Sequence, residues 1–115
     1  MAVSRMRRVN EVLREVIGDE LTSLSDPRLN MVTITAVDTS PDLRSARVYF
    51  TVLGGEDARD AALEALAKAH GVIQRAIGAE TRMKRTPTLR FEYDEAVERG
   101  LRISAILDDP EEGQR

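Results

Sequence analysis

The chain has 115 residues, a formal net charge of -3, 42% apolar residues and 32% charged residues. This length is enough for one domain with one small core and too short for two, and the absence of cysteine excludes disulfides and thiolate chemistry. Acidic residues dominate from Glu92 to Arg115, so the negative net charge masks a mildly basic body.

The first predicted helix runs from an N-cap at Ser4 to about Leu24, because its apolar residues recur at helical spacing. Arg5, Arg7 and Arg8 would lie in its first turn, where the helix dipole disfavours positive charge. A bound anion would relieve this repulsion. Exposed arginines also tolerate it without a partner, so both interpretations stay open.

A β-hairpin is predicted after Asp26-Pro27-Arg28, where the proline ends the first helix. The strand over residues 31–37 places Val32, Ile34 and Ala36 on one face. The strand over residues 46–53 repeats the alternation, with Ala46, Val48, Phe50 and Val52 on its apolar face. Turn-forming residues at 38–42 favour antiparallel pairing of the two strands.

Two helices and a third strand are predicted next. The first helix covers about residues 58–68, a break lies at Ala69-His70-Gly71, and the second helix continues until Thr86-Pro87 stops it. Residues 89–93 alternate as a strand. A C-terminal helix over residues 96–107 and a disordered acidic tail over residues 108–115 follow. This order predicts an α+β two-layer domain over residues 1–107.

Arginines and glycines alternate along the second of these helices. Gly71, Arg75, Gly78, Arg82 and Arg85 are four or three residues apart, which places them on one helix face. The glycines would let a bulky anion approach while the guanidinium groups bind its phosphates. Each glycine costs a helix up to ~1 kcal/mol relative to alanine, which indicates a packing or binding role. A solvated charged face is the alternative.

Signatures of catalysis and of metal binding are scarce. His70 is the single histidine, and we expect it to be exposed at the helix break rather than to act as a base or ligand. No acidic run has the spacing of a calcium loop, and Gly54-Gly55 lacks the Lys-Ser/Thr of a phosphate-binding loop. The sequence therefore predicts a protein that is not an enzyme and has no metal or cofactor.

The mode of RNA recognition and the location of the protein can also be predicted. Aromatic residues make up only 3% of the chain, which disfavours base stacking and favours recognition of the RNA backbone and shape. No apolar run approaches the ~20 residues of a membrane span, and the N-terminus lacks the apolar block of a secretory signal. We therefore expect a cytoplasmic protein without a membrane partner.

Short motifs between residues 6 and 107 occur in a characteristic order. They are Arg7-Arg8-Val9, Asp26-Pro27-Arg28, Val32-Thr33-Ile34-Thr35 followed by Val37, Asp42-Leu43, Ala46-Arg47-Val48-Tyr49, Ala69-His70-Gly71, and Arg85-Thr86-Pro87-Thr88-Leu89-Arg90-Phe91 closed by Asp94. Together they resemble the ribosome-binding factor A family. The resemblance implies a type II KH fold in which Ala69-His70-Gly71 forms an interhelical kink in place of the Gly-x-x-Gly loop.

The resemblance also implies a function. It implies a monomer that binds free 30S subunits, contacts 16S rRNA near its 5′ terminal helix, and assists late 30S maturation, rRNA processing and cold-shock adaptation without catalysis. The alternative is an interaction module that docks an assembly GTPase or a ribosomal protein.

The predicted RNA surface groups the candidate residues by role. Arg75, Arg82 and Arg85 bind phosphates, and Gly71 and Gly78 permit close approach. Lys68, Lys84 and Arg90 lie at the rim, and Arg5, Arg7 and Arg8 extend the surface if the first helix begins beside it.

Overall fold

The computed structural model describes residues 2–95, with side chains from Arg5 onward. Its elements are α1 (Ala2–Ser23), α2 (Pro27–Asn30), β1 (Val32–Thr39), β2 (Ser45–Val52), α3 (Gly55–Thr81) and β3 (Thr88–Tyr93). The α+β class is confirmed. The helix predicted over residues 96–107 and the acidic tail over residues 108–115 lie outside the described residues. Within residues 2–95, no helix has the length and apolar character needed to cross a bilayer.

The sheet has the strand order β1-β2-β3. β1 and β2 pair antiparallel as the predicted hairpin, and β3 pairs parallel to β2. A parallel pair requires a crossover connection, and α3 provides it. The first and third helices pack on one face of the sheet, and no helix within residues 2–95 covers the other face.

One hydrophobic core lies between the sheet and the helices. Each large aliphatic side chain in it contributes about 1.5–3 kcal/mol through burial. Its buried members are Leu13, Ile17, Leu21, Leu29, Ile34, Val37, Ala46, Val48, Phe50, Val52, Ala62, Ala65, Leu66, Ile73, Ile77 and Leu89.

A β-bulge reverses the side-chain alternation of β1. The pairing register with β2 shifts between Ile34 and Ala36, where Thr35 is the extra residue. Ile34 and Val37 are consequently buried, while Ala36 is exposed. The prediction that Ala36 faces the core is wrong, because one inserted residue sends every later side chain to the opposite face.

The third helix is continuous for 27 residues, so the predicted break at Ala69-His70-Gly71 is wrong. Its buried residues keep a single helical period on both sides of that segment. Ile73 and Ile77 are fully buried, and their burial outweighs the ~1 kcal/mol that Gly71 costs the helix.

Both ends of α3 differ from the prediction. The helix begins at Gly55 rather than near residue 58, after Gly54 adopts a left-handed φ of 116° as the N-cap. It ends at Thr81 rather than near residue 86, because Arg82 also turns left-handed, with a φ of 56°. Residues 82–87 therefore form a connecting loop.

The start of α1 also differs from the prediction. The helix begins at Ala2, so Ser4 lies inside it and is not the N-cap. Arg7 and Arg8 consequently follow the first turn, where the helix dipole acts more weakly. The repulsion that suggested a nearby anion is smaller than the sequence indicated.

The second helix was not predicted. The Asp26 side chain accepts a hydrogen bond from the Arg28 N–H at 3.0 Å and so caps α2, while Pro27 occupies the helix start, where it loses no hydrogen bond. The hydrogen bonds from Arg28 hold the pKa of Asp26 below its ordinary value. Arg28 also reaches Glu64 at 3.4 Å and thereby ties α2 to α3.

The Gln74 side chain forms two hydrogen bonds with the backbone at the edge of β3 that faces away from β2. Its Nε2 donates to the Pro87 carbonyl at 2.6 Å, and its Oε1 accepts from the Leu89 N–H at 3.2 Å. The Thr88 N–H bonds the Arg44 carbonyl on the β2 side, so the Leu89 backbone faces away from β2. Gln74 therefore satisfies backbone groups that the edge of the sheet would leave unpaired.

His70 also bonds the edge of β3 and is not the exposed residue that the sequence predicted. Its Nε2 donates to the Leu89 carbonyl at 2.9 Å. Its ring meets the Phe91 ring edge-on, with 6.4 Å between the centroids. The residue is half-buried and has a structural role.

Replacing Gln74 by leucine should lower the free energy of unfolding by about 1–3 kcal/mol, because the Leu89 N–H and the Pro87 carbonyl lose their partners. Urea unfolding followed by circular dichroism measures the change. Ala79→Leu is the matched control, since it introduces leucine at an exposed position of α3 without removing a hydrogen bond and should cost less. Equal stability of Q74L and the wild type would contradict this role for Gln74.

Candidate nucleic-acid interface

Unlike the other arginines, the cations predicted for the site form no ion pairs among the described residues. Within residues 2–95, every other arginine lies 2.8–3.9 Å from a carboxylate, namely Arg14, Arg28, Arg44, Arg47 and Arg59. The same stretch contains no such pair for Arg5, Arg7, Arg8, Lys68, Arg75, Arg82, Lys84, Arg85 or Arg90. Among the described residues, the predicted site cations therefore have no carboxylate within ion-pair distance.

Part of the predicted arginine and glycine face lies on α3. Gly71, Arg75 and Gly78 lie on the side of the helix away from the buried Ile73. A Cβ atom at Gly71 would lie 3.5 Å from Nη1 of Arg75, so the guanidinium group extends over the glycine. Gly71 thus leaves bare backbone beside an available cation.

Gly78 has a packing role within the chain. A Cβ atom there would lie 3.3 Å from Oγ1 of Thr86, which is closer than most such contacts. The missing side chain lets the 82–87 loop pass close to the helix. One of the two glycines is thus explained by the fold itself.

Arg82, Lys84 and Arg85 lie in the 82–87 loop. The prediction that Arg82 and Arg85 continue the helix face is wrong, because α3 ends at Thr81. All three cations are exposed. They follow the C-terminal end of the helix, where the dipole favours positive charge.

Two arginines of the first helix lie beside this loop. Arg5 and Arg8 line a cleft of 170 Å³ together with Thr81 and Met83. We call Arg5, Arg8, Arg82, Lys84 and Arg85 the basic cluster, which Arg75 extends along α3. The two parts of the cluster are far apart in the chain, and no local sequence signal indicates that they meet.

The other candidate cations lie elsewhere. Arg7 lines a separate groove of 620 Å³ between α1 and β1. Arg90 lies on the open face of the sheet, in register with Arg47 on β2. Lys68 lies on α3 close enough to Asp26 to add to the lowering of its pKa, which Arg28 dominates. Arg7 and Arg90 therefore do not join the basic cluster.

Acidic and basic residues are unevenly distributed along the two long helices. The acidic residues of α1 follow its first arginines, and the acidic residues of α3 lie in its first three turns except for Glu80 in its last turn. They are Glu11, Glu15, Asp19 and Glu20 in α1, and Glu56, Asp57, Asp60, Glu64 and Glu80 in α3. Arg5 and Arg8 near the start of α1 line the 170 Å³ cleft, and its described lining contains no acidic residue, although the net charge of the chain is -3.

Among the residues that the structure describes, no group of three or more His, Cys, Asp or Glu side chains is arranged to hold a metal ion. The arrangement of the basic cluster instead suits the binding of phosphates by guanidinium and ammonium groups.

Comparison with known sequences gives consistent matches. A sequence model of the family described as ribosome-binding factor A matches residues 5–107. Ribosome-binding factor A of Rubrobacter xylanophilus is 50% identical to this chain over 108 residues, which cover 93% of this chain and 88% of the relative.

Comparison with solved structures also finds ribosome-binding factor A proteins. The crystal structure of ribosome-binding factor A from Thermus thermophilus has a TM-score of 0.69 at 31% identity and covers 76% of this chain and 93% of that one. The solution NMR structure of a putative ribosome binding factor A from Thermotoga maritima has a TM-score of 0.70 at 31% identity, with 76% and 85% coverage.

A third match carries information about assembly. It is a homology model of the Thermus thermophilus protein fitted into the cryo-EM map of a 30S-RbfA complex. Its TM-score is 0.63 at 32% identity, with 75% of this chain and 91% of that chain covered.

Gly71→Ala should raise the free energy of unfolding by about 0.5–1 kcal/mol, because alanine favours the helix and its Cβ meets only the flexible end of Arg75. Gly78→Ala should raise the free energy of unfolding by a smaller amount, because the added Cβ would make a short contact with Oγ1 of Thr86. Parallel urea titrations compare the two variants. A larger gain for G78A than for G71A would contradict the packing role of Gly78.

Proposed function

The chain belongs to the ribosome-binding factor A family, and from this membership we propose that the protein is an assembly factor that binds the free 30S subunit through 16S rRNA. The fitted 30S-RbfA complex of a relative supports the choice of partner. The observation that carries the proposal is the cleft that Arg5 and Arg8 line together with Thr81 and Met83, the chain neighbours of Arg82. None of the cations in the basic cluster has an ion pair within residues 2–95.

The backbone at Arg82 supports the same role. A left-handed conformation costs a residue with a Cβ atom roughly 1 kcal/mol or more, whereas glycine adopts it freely. An arginine at this position therefore favours a role for the guanidinium group itself. Because Arg82 lies in the same loop as Lys84 and Arg85, a phosphate group is the ligand that these three cations suit.

The length of the surface suits an extended anion. Lys68 and Arg82 are fourteen positions apart along α3 and its C-cap, which corresponds to roughly 20 Å at ~1.5 Å per residue. Several phosphates of an RNA backbone fit along that distance, and the bare backbone at Gly71 leaves room for close approach. Phosphate contacts fix the position of the protein on its RNA and carry no sequence information.

The narrower parts of the proposal rest on family membership. We propose that the fold is a type II KH variant in which α3 takes the place of the two central helices. We also propose that the protein works in the cytoplasm as a monomer, contacts 16S rRNA near the 5′ terminal helix, and assists late 30S maturation, rRNA processing and cold-shock adaptation. Protection of that RNA helix from hydroxyl radicals in the complex tests the contact.

The second candidate is an interaction module for an assembly GTPase or a ribosomal protein. The groove of 620 Å³ between α1 and β1 favours it, because Met6, Ala36 and Val37 give it apolar walls. Co-sedimentation separates the candidates. A module that recognises protein binds intact subunits and fails to bind deproteinised 16S rRNA, whereas an rRNA-binding factor binds both.

Replacing Arg75, Arg82 and Arg85 together by glutamine should weaken binding to free 30S subunits roughly 10- to 100-fold, because three charged phosphate contacts are lost. The matched control replaces Arg44, Arg47 and Arg59 by glutamine, which removes the same charge from arginines that have carboxylate partners. The control should change affinity by less than about threefold. Equal losses in the two variants would contradict the proposed surface.

The salt dependence of binding gives an independent test. With about four phosphate contacts, the affinity of the wild type for 16S rRNA should fall roughly a hundredfold between about 50 and 200 mM salt. The triple glutamine variant should show a much shallower dependence, since about one contact remains. Fluorescence anisotropy at a series of salt concentrations measures both slopes, and a flat response of the wild type would argue against phosphate binding.

A further inference from the structure

We propose that the cleft between α1 and the end of α3 binds one unstacked nucleobase of the rRNA, and that the arginines at its rim hold the adjoining phosphates. This inference rests on the proposed function and names the chemical class of its ligand. Its evidence is independent of the family comparison, because it comes from the shape and lining of the cleft.

The cleft has apolar walls and a cationic rim. Its lining consists of Arg5, Arg8, Val9, Val12, Leu13, Thr81 and Met83. Leu13 is fully buried beneath it, while Val12 is 42% exposed and belongs to the few large apolar side chains of residues 2–95 that solvent reaches to this extent. An apolar hollow between two available arginines matches a ligand with an apolar body and an anionic backbone.

A nucleotide has this combination of properties. Proteins recognise single-stranded RNA by taking splayed bases onto apolar or aromatic groups and onto the planes of arginine guanidinium groups. Arg5 and Arg8 can stack or bind phosphate, since neither has an ion pair in the described residues. The scarcity of aromatic residues, from which the sequence predicted recognition of backbone and shape alone, does not exclude a base site of this type.

The volume of the cleft limits what can enter. At 170 Å³ it is smaller than the ~300–1,000 Å³ of pockets for drug-sized ligands. One ring system fits, whereas a duplex or a helix of a partner protein does not. Bases within a duplex are stacked and paired, so the ligand is a nucleotide in a loop, bulge or single-stranded segment beside the phosphates that the basic cluster binds.

The methyl group of Met83 can report whether the cleft is occupied. The full chain, labelled with carbon-13 at its methionine methyl groups, is titrated with a single-stranded oligoadenylate hexamer and, separately, with a blunt RNA duplex. We expect the Met83 signal to move upfield with the hexamer, through the ring current of an inserted base. It should stay in place with the duplex. Met31 is 55% exposed and does not line the cleft, so its signal is the internal reference.

Filling the cleft tests the same inference by affinity. Val12→Phe should occupy the cleft and weaken binding of the hexamer about tenfold or more, the range expected when one stacked base is lost. Val72→Phe is the matched control, because Val72 is 40% exposed on α3 and does not line the cleft. It should change the affinity by less than about twofold.

The outcomes distinguish this inference from the proposed function. A Met83 signal that stays in place, in a protein that still binds 30S subunits, would overturn the base site and leave the assembly role intact. A signal that moves with intact subunits and with neither RNA would assign the cleft to a side chain of a ribosomal protein and also overturn it. Failure of the wild type to bind subunits or rRNA would overturn the proposed function. If V12F does not fold, the wild-type titration decides.

Discussion

The packing of α3 against α1 and the sheet determines where this protein concentrates its positive charge. Ile73 and Ile77 are fully buried in that interface, and they fix the rotation of the helix about its axis. Gly71 and Arg75 must then face solvent, because they lie on the opposite side of the helix. The same packing brings the end of α3 against the first turns of α1, so that Arg5 and Arg8 line one cleft with Thr81 and Met83.

The connection between α3 and β3 is held by contacts that do not involve charge. Gln74 bonds the backbone at Pro87 and Leu89, and Gly78 leaves space for Thr86. These contacts fix both the end of the loop and its distance from the helix. The cations of the loop form no ion pairs within residues 2–95.

Net charge is a poor guide to the partner of this protein. A total of -3 argues against an anionic ligand if the charge is treated as uniform. Four of the five acidic residues of α3 instead lie in its first three turns, and only Glu80 lies near its end. At physiological ionic strength charges farther apart than ~8 Å are largely screened from each other, so a phosphate at the basic cluster would experience mainly the nearby arginines and lysine together with Glu80.

The sequence by itself determined the α+β class, the hairpin and the third strand, because these follow from side-chain periodicity within short segments. It predicted a break at Ala69-His70-Gly71 and a helix extending to Arg85, because local propensity penalises glycine and does not include the burial of Ile73 and Ile77. Only the tertiary structure decided that Arg5 and Arg8 line one cleft with Thr81 and Met83, and that Arg90 lies on the other face of the sheet. Those relations depend on how distant elements pack, and packing is a property of the whole core.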